Sequence, residues 1–255
     1  MASQEDYARI ARKSYFPCRK SKRRCDKKFP SDDTIRNIAT TFFQSIHMWM
    51  PIVSKRIFFT HLLNPLARRH NELSLLADGS SYVKSIIYQT AKTYYFKVEA
   101  AGVLSIHVLQ AAVLIAVYEV GHAIYPAAYL SIGACARYGC MLGIDKLGLD
   151  LMGESLGPLT WIEVEERRRL WWAVLLLDRF MNLSDPRRHL VTEDPTFDTY
   201  LPVDDTAWDD CTTKPGDTVI ISNGLTLKMG IFSRVAQATY LLSEALKSVP
   251  PRVNY

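Results

Sequence analysis

Residues 161–183 read WIEVEERRRLWWAVLLLDRFMNL. The spacing predicts a helix from Trp161 to Leu183, the longest in the chain. Glu163, Glu165 and Glu166 lie in its opening turns, where carboxylates complement the exposed N–H groups and positive end of the helix dipole. Glu165 stands one turn before Arg169, so the two can pair along one face. From Leu170 to Leu177 the run is apolar on every side, which predicts burial and a central place in the fold. Asp178 and Arg179 follow directly, and charges on a buried helix need partners, because an unpaired buried ion is costly. Arg168, four residues before Trp172, is expected to stack on that indole.

Outward from this helix the same periodicity recurs. Residues 31–49 carry Ile35, Ile38, Phe42, Ile46 and Trp49 at spacings of three and four, behind capping residues Ser31, Asp32 and Asp33 and before the breaking Pro51. A short helix is expected near Ser54, carrying Phe58, Leu62 and Leu63. Residues 80–99 and 103–118 read as helices divided by Gly102, with Gly121 closing the second. Residues 127–142 read as a helix with Pro126 at its start and Gly143 at its end. Its small residues, Ala127, Ala128, Ser131, Gly133, Ala134 and Ala136, suit close approach to a neighbour. Residues 147–160 read as a loop, 185–216 as a long polar connection, and about 222–247 as a last helix. The only strand signal is Val219–Ile221. The fold class is therefore all-α, helices joined by short turns plus one long polar loop.

Charge divides the chain differently. Residues 1–30 hold ten Lys and Arg against Glu5, Asp6 and Asp26, a net +7, whereas the whole chain of 255 residues is +5. A basic arm on a near-neutral body points to a polyanion partner or a nuclear import signal. Within the arm, Cys18 and Cys25 enclose Arg19, Lys20, Ser21, Lys22, Arg23 and Arg24. The five cysteines (18, 25, 135, 140 and 211) form no even framework, which favours a reducing compartment. Met1 to Phe16 has no apolar stretch of signal-peptide length, and the most hydrophobic run, Val103–Tyr118, is too short to span a bilayer. The sequence reads as two parts: a basic arm, 1–30, and a helical body, 31–255.

Several motifs together resemble one family. Glu165-Glu166-Arg167-Arg168-Arg169-Leu170-Trp171-Trp172 with Asp178-Arg179 is similar to the signature of the fungal-specific transcription factor domain, the regulatory region that accompanies zinc-cluster DNA-binding domains. Pro186-Arg187-Arg188, then Leu201-Pro202-Val203-Asp204-Asp205 and Trp208, continue the likeness. Upstream, Phe42-Phe43, His47, Pro51-Ile52 and Phe58 resemble the family's opening helix. Tyr129-Leu130, Gly133, Arg137 and Leu142-Gly143-Ile144-Asp145 resemble its small-residue helix. The likeness spans roughly 34–247. It implies a nuclear regulator of RNA polymerase II genes serving one metabolic pathway, with a secondary-metabolite gene cluster among the candidates. It also implies DNA as partner, and homodimers or other transcription factors as protein partners.

The arm resembles the central part of one half of a six-cysteine zinc binuclear cluster, Cys-x2-Cys-x6-Cys. On that likeness Cys18 and Cys25 are zinc ligands. Lys22 falls on the lysine that reaches base edges, and Arg19, Lys20, Arg23 and Arg24 fit phosphate contacts. Asp26 and Pro30 also match. The departures are large: Tyr15 stands where the first cysteine belongs, and no cysteine follows Cys25 until Cys135. Two thiolates do not satisfy two tetrahedral zinc ions. Three readings stay open for the arm: a degenerate finger binding DNA without sequence choice, a truncated or mis-spliced product of a longer regulator, and a nuclear localisation signal alone. The runner-up function is a regulator without specific DNA binding that works through protein partners.

Enzyme chemistry finds less support. Gly153-Glu154-Ser155-Leu156-Gly157 matches the Gly-x-Ser-x-Gly elbow of α/β-hydrolases, but Gly157-Pro158 interrupts the helix the elbow needs, and only His189 lies downstream as a base. The six histidines show no His-x3-His pair, and Asp204, Asp205, Asp209 and Asp210 lack calcium-loop spacing. That acidic group is expected to cap turns in a solvated loop. The chain is expected to be no enzyme.

Overall fold

A computed structural model describes residues 32–62, 86–146, 159–183, 189–223 and 229–248. The basic arm, with Cys18, Cys25 and the cations between them, lies outside the described residues. So do the Ser155 motif and Pro186-Arg187-Arg188.

The described chain is helical, as its periodicity predicts. Its helices are α1 (Asp32–Gln44), α2 (Lys55–Ile57), α3 (Ile86–Ala100), α4 (Ile106–Gly121), α5 (Tyr125–Met141), α6 (Trp161–Asn182), α7 (Asp205–Asp209) and α8 (Ile231–Lys247). The strand signal at 219–221 amounts to a single antiparallel bridge, Tyr200 to Ile220.

The ends of the helices follow local chemistry. In α1 the buried Ala39, Phe42 and Phe43 oppose exposed Arg36, Asn37, Thr40 and Thr41. The helix stops at Gln44, and the chain tightens into a 3-10 turn at Ile46–Met48 instead of running on to Trp49. Ser54 caps α2 by accepting from the Ile57 N–H, and a π-helical turn continues over Phe58–Leu62. Helix α4 begins three residues later than its apolar run, because Ser105 accepts from the Val108 N–H and fixes the start. Pro126 occupies the first turn of α5, and Gly143 follows that helix at φ +68°, a conformation that favours glycine. Helix α6 opens with a capping box: Thr160 Oγ1 accepts from the Glu163 N–H, and Glu163 Oε2 accepts from the Thr160 N–H at 2.8 Å.

Helix α6 is the axis of the molecule. It packs against α4, α5 and α8, while α4 also contacts α3 and α5. Sixteen of its 22 residues are buried, and Leu170, Trp172, Ala173, Val174 and Leu175 are at most 1% exposed. Burying each large apolar side chain contributes ~1.5–3 kcal/mol, so this stretch anchors the core. Helix α5 approaches α6 closely at Gly139: a Cβ placed there would meet Trp171 Cζ3 at 2.7 Å, whereas one on Gly133 meets nothing within 4 Å; of the small residues, Ala128 and Ala136 are buried. No helix of the described residues is long and apolar enough to cross a membrane.

Candidate functional site

The buried charges of α6 gather segments far apart in sequence. Glu165 Oε1 accepts from Arg169 Nε at 2.9 Å and from the Val203 N–H at 2.9 Å. Arg169 is wholly buried. Its Nη1 donates to Asp205 Oδ1 at 2.7 Å and its Nη2 to the Val203 carbonyl at 2.7 Å. Its guanidinium lies 4.2 Å from the ring centre of Trp208. Asp205 in turn accepts from the Phe232 N–H at 3.0 Å, fixing the start of α8. His47, from the segment after α1, stacks on Trp208 and hydrogen-bonds Asp209 at 3.1 Å. Glu166 Oε1 accepts from the Ser54 N–H at 2.7 Å.

Two predictions about this region change. The acidic group 204–210 is not a set of solvated turn caps: Asp204 caps α7 through the Ala207 N–H, but Asp205 and Asp209 bind Arg169 and His47. Arg168 does not stack on Trp172. Its Nη1 bonds Glu165 Oε2 at 2.5 Å, which draws the guanidinium toward the start of α6, between the rings of Trp161 (5.2 Å) and Tyr200 (5.4 Å). The Trp172 Nε1–H donates to the Tyr200 carbonyl at 2.8 Å.

A second cluster sits two turns further along. Asp178 Oδ2 accepts from the N–H groups of Val191 (3.1 Å) and Thr192 (3.0 Å) and from the Thr192 hydroxyl (2.6 Å). Arg179 bonds Asp178, the Thr192 hydroxyl, the Glu193 carbonyl and Asp194 on one side, and the Ser243 hydroxyl of α8 on the other. The expected partners of Asp178 and Arg179 are thus present. The polar connection runs along α6, pinned near 191–194 and again near 203–208. Between the pins it borders an open cavity of ≈ 400 Å³ lined by Arg168, Trp171, Trp172 and Tyr200, with Cys140, Asp145 and Lys146 on the side of α5.

Burial raises the pKa of Glu166, an effect the Ser54 N–H and nearby His107 only partly offset. Burial also pushes the Asp209 carboxyl up, but the hydrogen bond and charge of His47 outweigh it, and the pKa is lowered. Cys135 is fully buried and burial drives its thiol pKa well up; Cys140 is exposed and Cys211 half-buried. Among the described residues no group of three or more His, Cys, Asp or Glu is placed to hold a metal ion. His189, the base the hydrolase reading needs, is exposed.

This arrangement defines an all-α domain whose central arginine-rich helix gathers a long polar connection and two flanking helices around buried ion clusters. The family model for the fungal specific transcription factor domain matches residues 39–218, and the chain belongs to that family of transcription regulators. It is 35% identical over 147 residues to the transcription factor BOA15 of Botryotinia fuckeliana, covering 54% of this chain and 81% of that protein. It is 28% identical over 185 residues to the transcription factor tazR of Aspergillus terreus, 68% of this chain but 29% of tazR. With the azaphilone cluster-specific transcription factor azaR of Aspergillus niger it shares 25% identity over 180 residues, 64% of this chain and 39% of azaR. The chain thus spans most of BOA15 but well under half of the other two. No solved structure matches the chain at a significant level.

Proposed function

We propose that this chain is a nuclear, pathway-specific regulator of a secondary-metabolite gene cluster, and that it is not itself an enzyme. The observation that carries this reading is the family match across the helical body. Two relatives bear names that tie them to one pathway, azaR to an azaphilone cluster and the Monascus ruber activator pigB to pigment biosynthesis. Transcript profiling after deletion and after overexpression tests it: a block of neighbouring biosynthetic genes is expected to change together. Unchanged transcripts in both strains would refute it.

DNA is the proposed partner, contacted by Arg19, Lys20, Lys22, Arg23 and Arg24. Phosphate contacts release counterions, so log affinity falls with log salt at a slope of about −0.9 per contact. The four phosphate contacts of Arg19, Lys20, Arg23 and Arg24 therefore give a slope of about −3.6 on the same relation. A flat salt response would remove the arm from the interface. Zinc fits the arm poorly: a binuclear cluster shares six thiolates, and Cys18 and Cys25 supply two of them. That shortfall favours the second reading, in which the regulator lacks sequence-specific DNA binding and acts through homodimers or other transcription factors. Equal affinity for specific and scrambled sites, with the gene response intact, supports this alternative.

A further inference from the structure

Helix α8 is apolar on both sides. It meets the core with Phe232, Ala236, Thr239, Tyr240 and Ser243. Its opposite side presents Ile231, Arg234, Ala238, Leu241 and Ala245, all of them exposed. Ile231 is 60% and Leu241 64% exposed. The five positions step by three and four residues in alternation, which is the spacing of the a and d positions of a coiled coil. A surface helix ordinarily turns polar residues outward, yet this side holds a single charge. Exposed apolar residues scattered singly need no explanation, whereas a continuous seam of them marks an interaction surface. Beside the seam Phe197, itself exposed, rests on Tyr240 with ring centres 5.7 Å apart and adds apolar surface.

The order of sizes and charges along the seam selects the occupant. Set antiparallel against a copy of itself, with the two-fold axis between Thr239 and Tyr240, the seam is self-complementary. Each Leu241 then meets Ala238 of the second copy, and each Arg234 meets Ala245, a large side chain against a small one in every layer. The same register brings Arg234 beside Glu244 of the second copy. Arg234 makes no ion pair among the described residues. Lys247 donates to Glu244 Oε1 at 2.7 Å, which leaves Oε2 for the cross-pair. A parallel arrangement would instead oppose Arg234 to Arg234, and like charges facing each other disfavour it. We propose that α8 is a self-association surface, pairing antiparallel with α8 of a second copy of this chain. The helix has 17 residues, about 25 Å at 1.5 Å per residue. One such face falls at the small end of specific interfaces, so the dimer is weak, with a Kd on the order of 10–100 µM. The inference stands on α8 alone and is independent of how the arm engages DNA.

Sedimentation equilibrium of the full chain without DNA, from about 1 to 300 µM, tests it. The average mass is expected to climb with concentration from the 29.0 kDa of one chain toward twice that value. Leu241→Glu places a charge in the seam at an exposed position and is expected to weaken association at least about tenfold. Arg234→Glu puts like charges across the two-fold axis, and so does Glu244→Arg; each alone is expected to weaken association about tenfold. One of these variants then carries acids at both positions and the other bases at both. Mixed in equal amounts, they are expected to associate about as tightly as the native chain. Circular dichroism checks that each variant keeps its helix content. Should Leu241→Glu lose its fold, the native chain and the charge-mixing experiment still decide the matter. A native chain that stays monomeric to about 300 µM, association that a folded Leu241→Glu leaves unchanged, or a mixture no tighter than its components would each overturn the proposal.

Discussion

Replacing Arg169 by alanine tests whether the ion cluster on α6 holds the fold together. The substitution removes three hydrogen bonds of 2.9, 2.7 and 2.7 Å and a guanidinium stacked on Trp208. Breaking a buried ion pair from one side costs ~3–5 kcal/mol, because the partner charge is left uncompensated. Two facts set the figure at the low end. Glu165 keeps Arg168 and the Val203 N–H, and Asp205 is 26% exposed, so water recovers part of its solvation. A loss of about 3 kcal/mol is expected, a large share of the 5–15 kcal/mol typical of domains. Urea unfolding, followed by far-ultraviolet circular dichroism and tryptophan fluorescence, measures it. Arg169→Lys keeps the charge but cannot reach Glu165, Asp205 and the Val203 carbonyl together, so it too is expected to cost roughly 2 kcal/mol. A double-mutant cycle with Asp205→Asn should return a coupling of about 1–3 kcal/mol. A loss under ~1 kcal/mol for the alanine variant, or a lysine variant as stable as the parent, would show that the cluster is not the clamp its geometry describes.

The glycines of α5 offer a contrast in sign. Alanine at Gly133 meets open space and should stabilise by about 0.5–1 kcal/mol through helix propensity, whereas alanine at Gly139 collides with the Trp171 ring and should cost a net ~1–3 kcal/mol; thermal melts of the two variants check it, and matching signs would refute the close contact. Glu166 has a raised folded-state pKa, so both folded and unfolded chains are protonated well below the ordinary value of 4.5, and the folded state is penalised as pH rises above it. Glu166→Gln should therefore match the parent at low pH and gain on it toward neutrality, and a stability difference constant with pH would contradict the burial of that charge.

Much of the fold was legible because its signals are local. The period of α6, the Glu165–Arg169 pair one turn apart, Pro126 at the start of α5 and Gly143 after its end depend on neighbours within a few residues. The errors share a different cause. The spacing allows Arg168 to lie over Trp172, but Glu165, three residues back, holds the guanidinium toward Trp161 instead. Asp205 and Asp209 read as solvated caps because their true partners, Arg169 and His47, lie 36 and 162 residues away. Nothing in one sequence specifies such pairings. The family motifs nonetheless contained them: His47, the arginines of α6, and Asp205 with Trp208 belong to separate motifs that meet in one cluster. The cavity gave no sequence signal at all, since its walls come from the end of α5, the turn after it, α6 and a connection whose path the two ion clusters determine.

The two neighbouring arginines of α6 bear on the clamp together. Arg168 and Arg169 share Glu165, so the guanidinium between the Trp161 and Tyr200 rings and the one holding α7 draw on the same carboxylate. Adjacency alone does not establish energetic coupling; removing one partner measures it. Arg168→Met leaves Glu165 with Arg169 and the Val203 N–H. Two amides report on the clamp: the Val203 N–H bonds Glu165 and the Phe232 N–H bonds Asp205. If the shared carboxylate couples the two arginines, hydrogen exchange at both amides is expected to quicken in Arg168→Met. Exchange at the Val108 N–H, capped by Ser105 at the start of α4, serves as the distant control. Faster exchange at all three amides would indicate global destabilisation. Faster exchange at Val203 and Phe232 alone would make Glu165 the element through which the two arginines are coupled, and unchanged exchange at all three would separate Arg168 from the clamp.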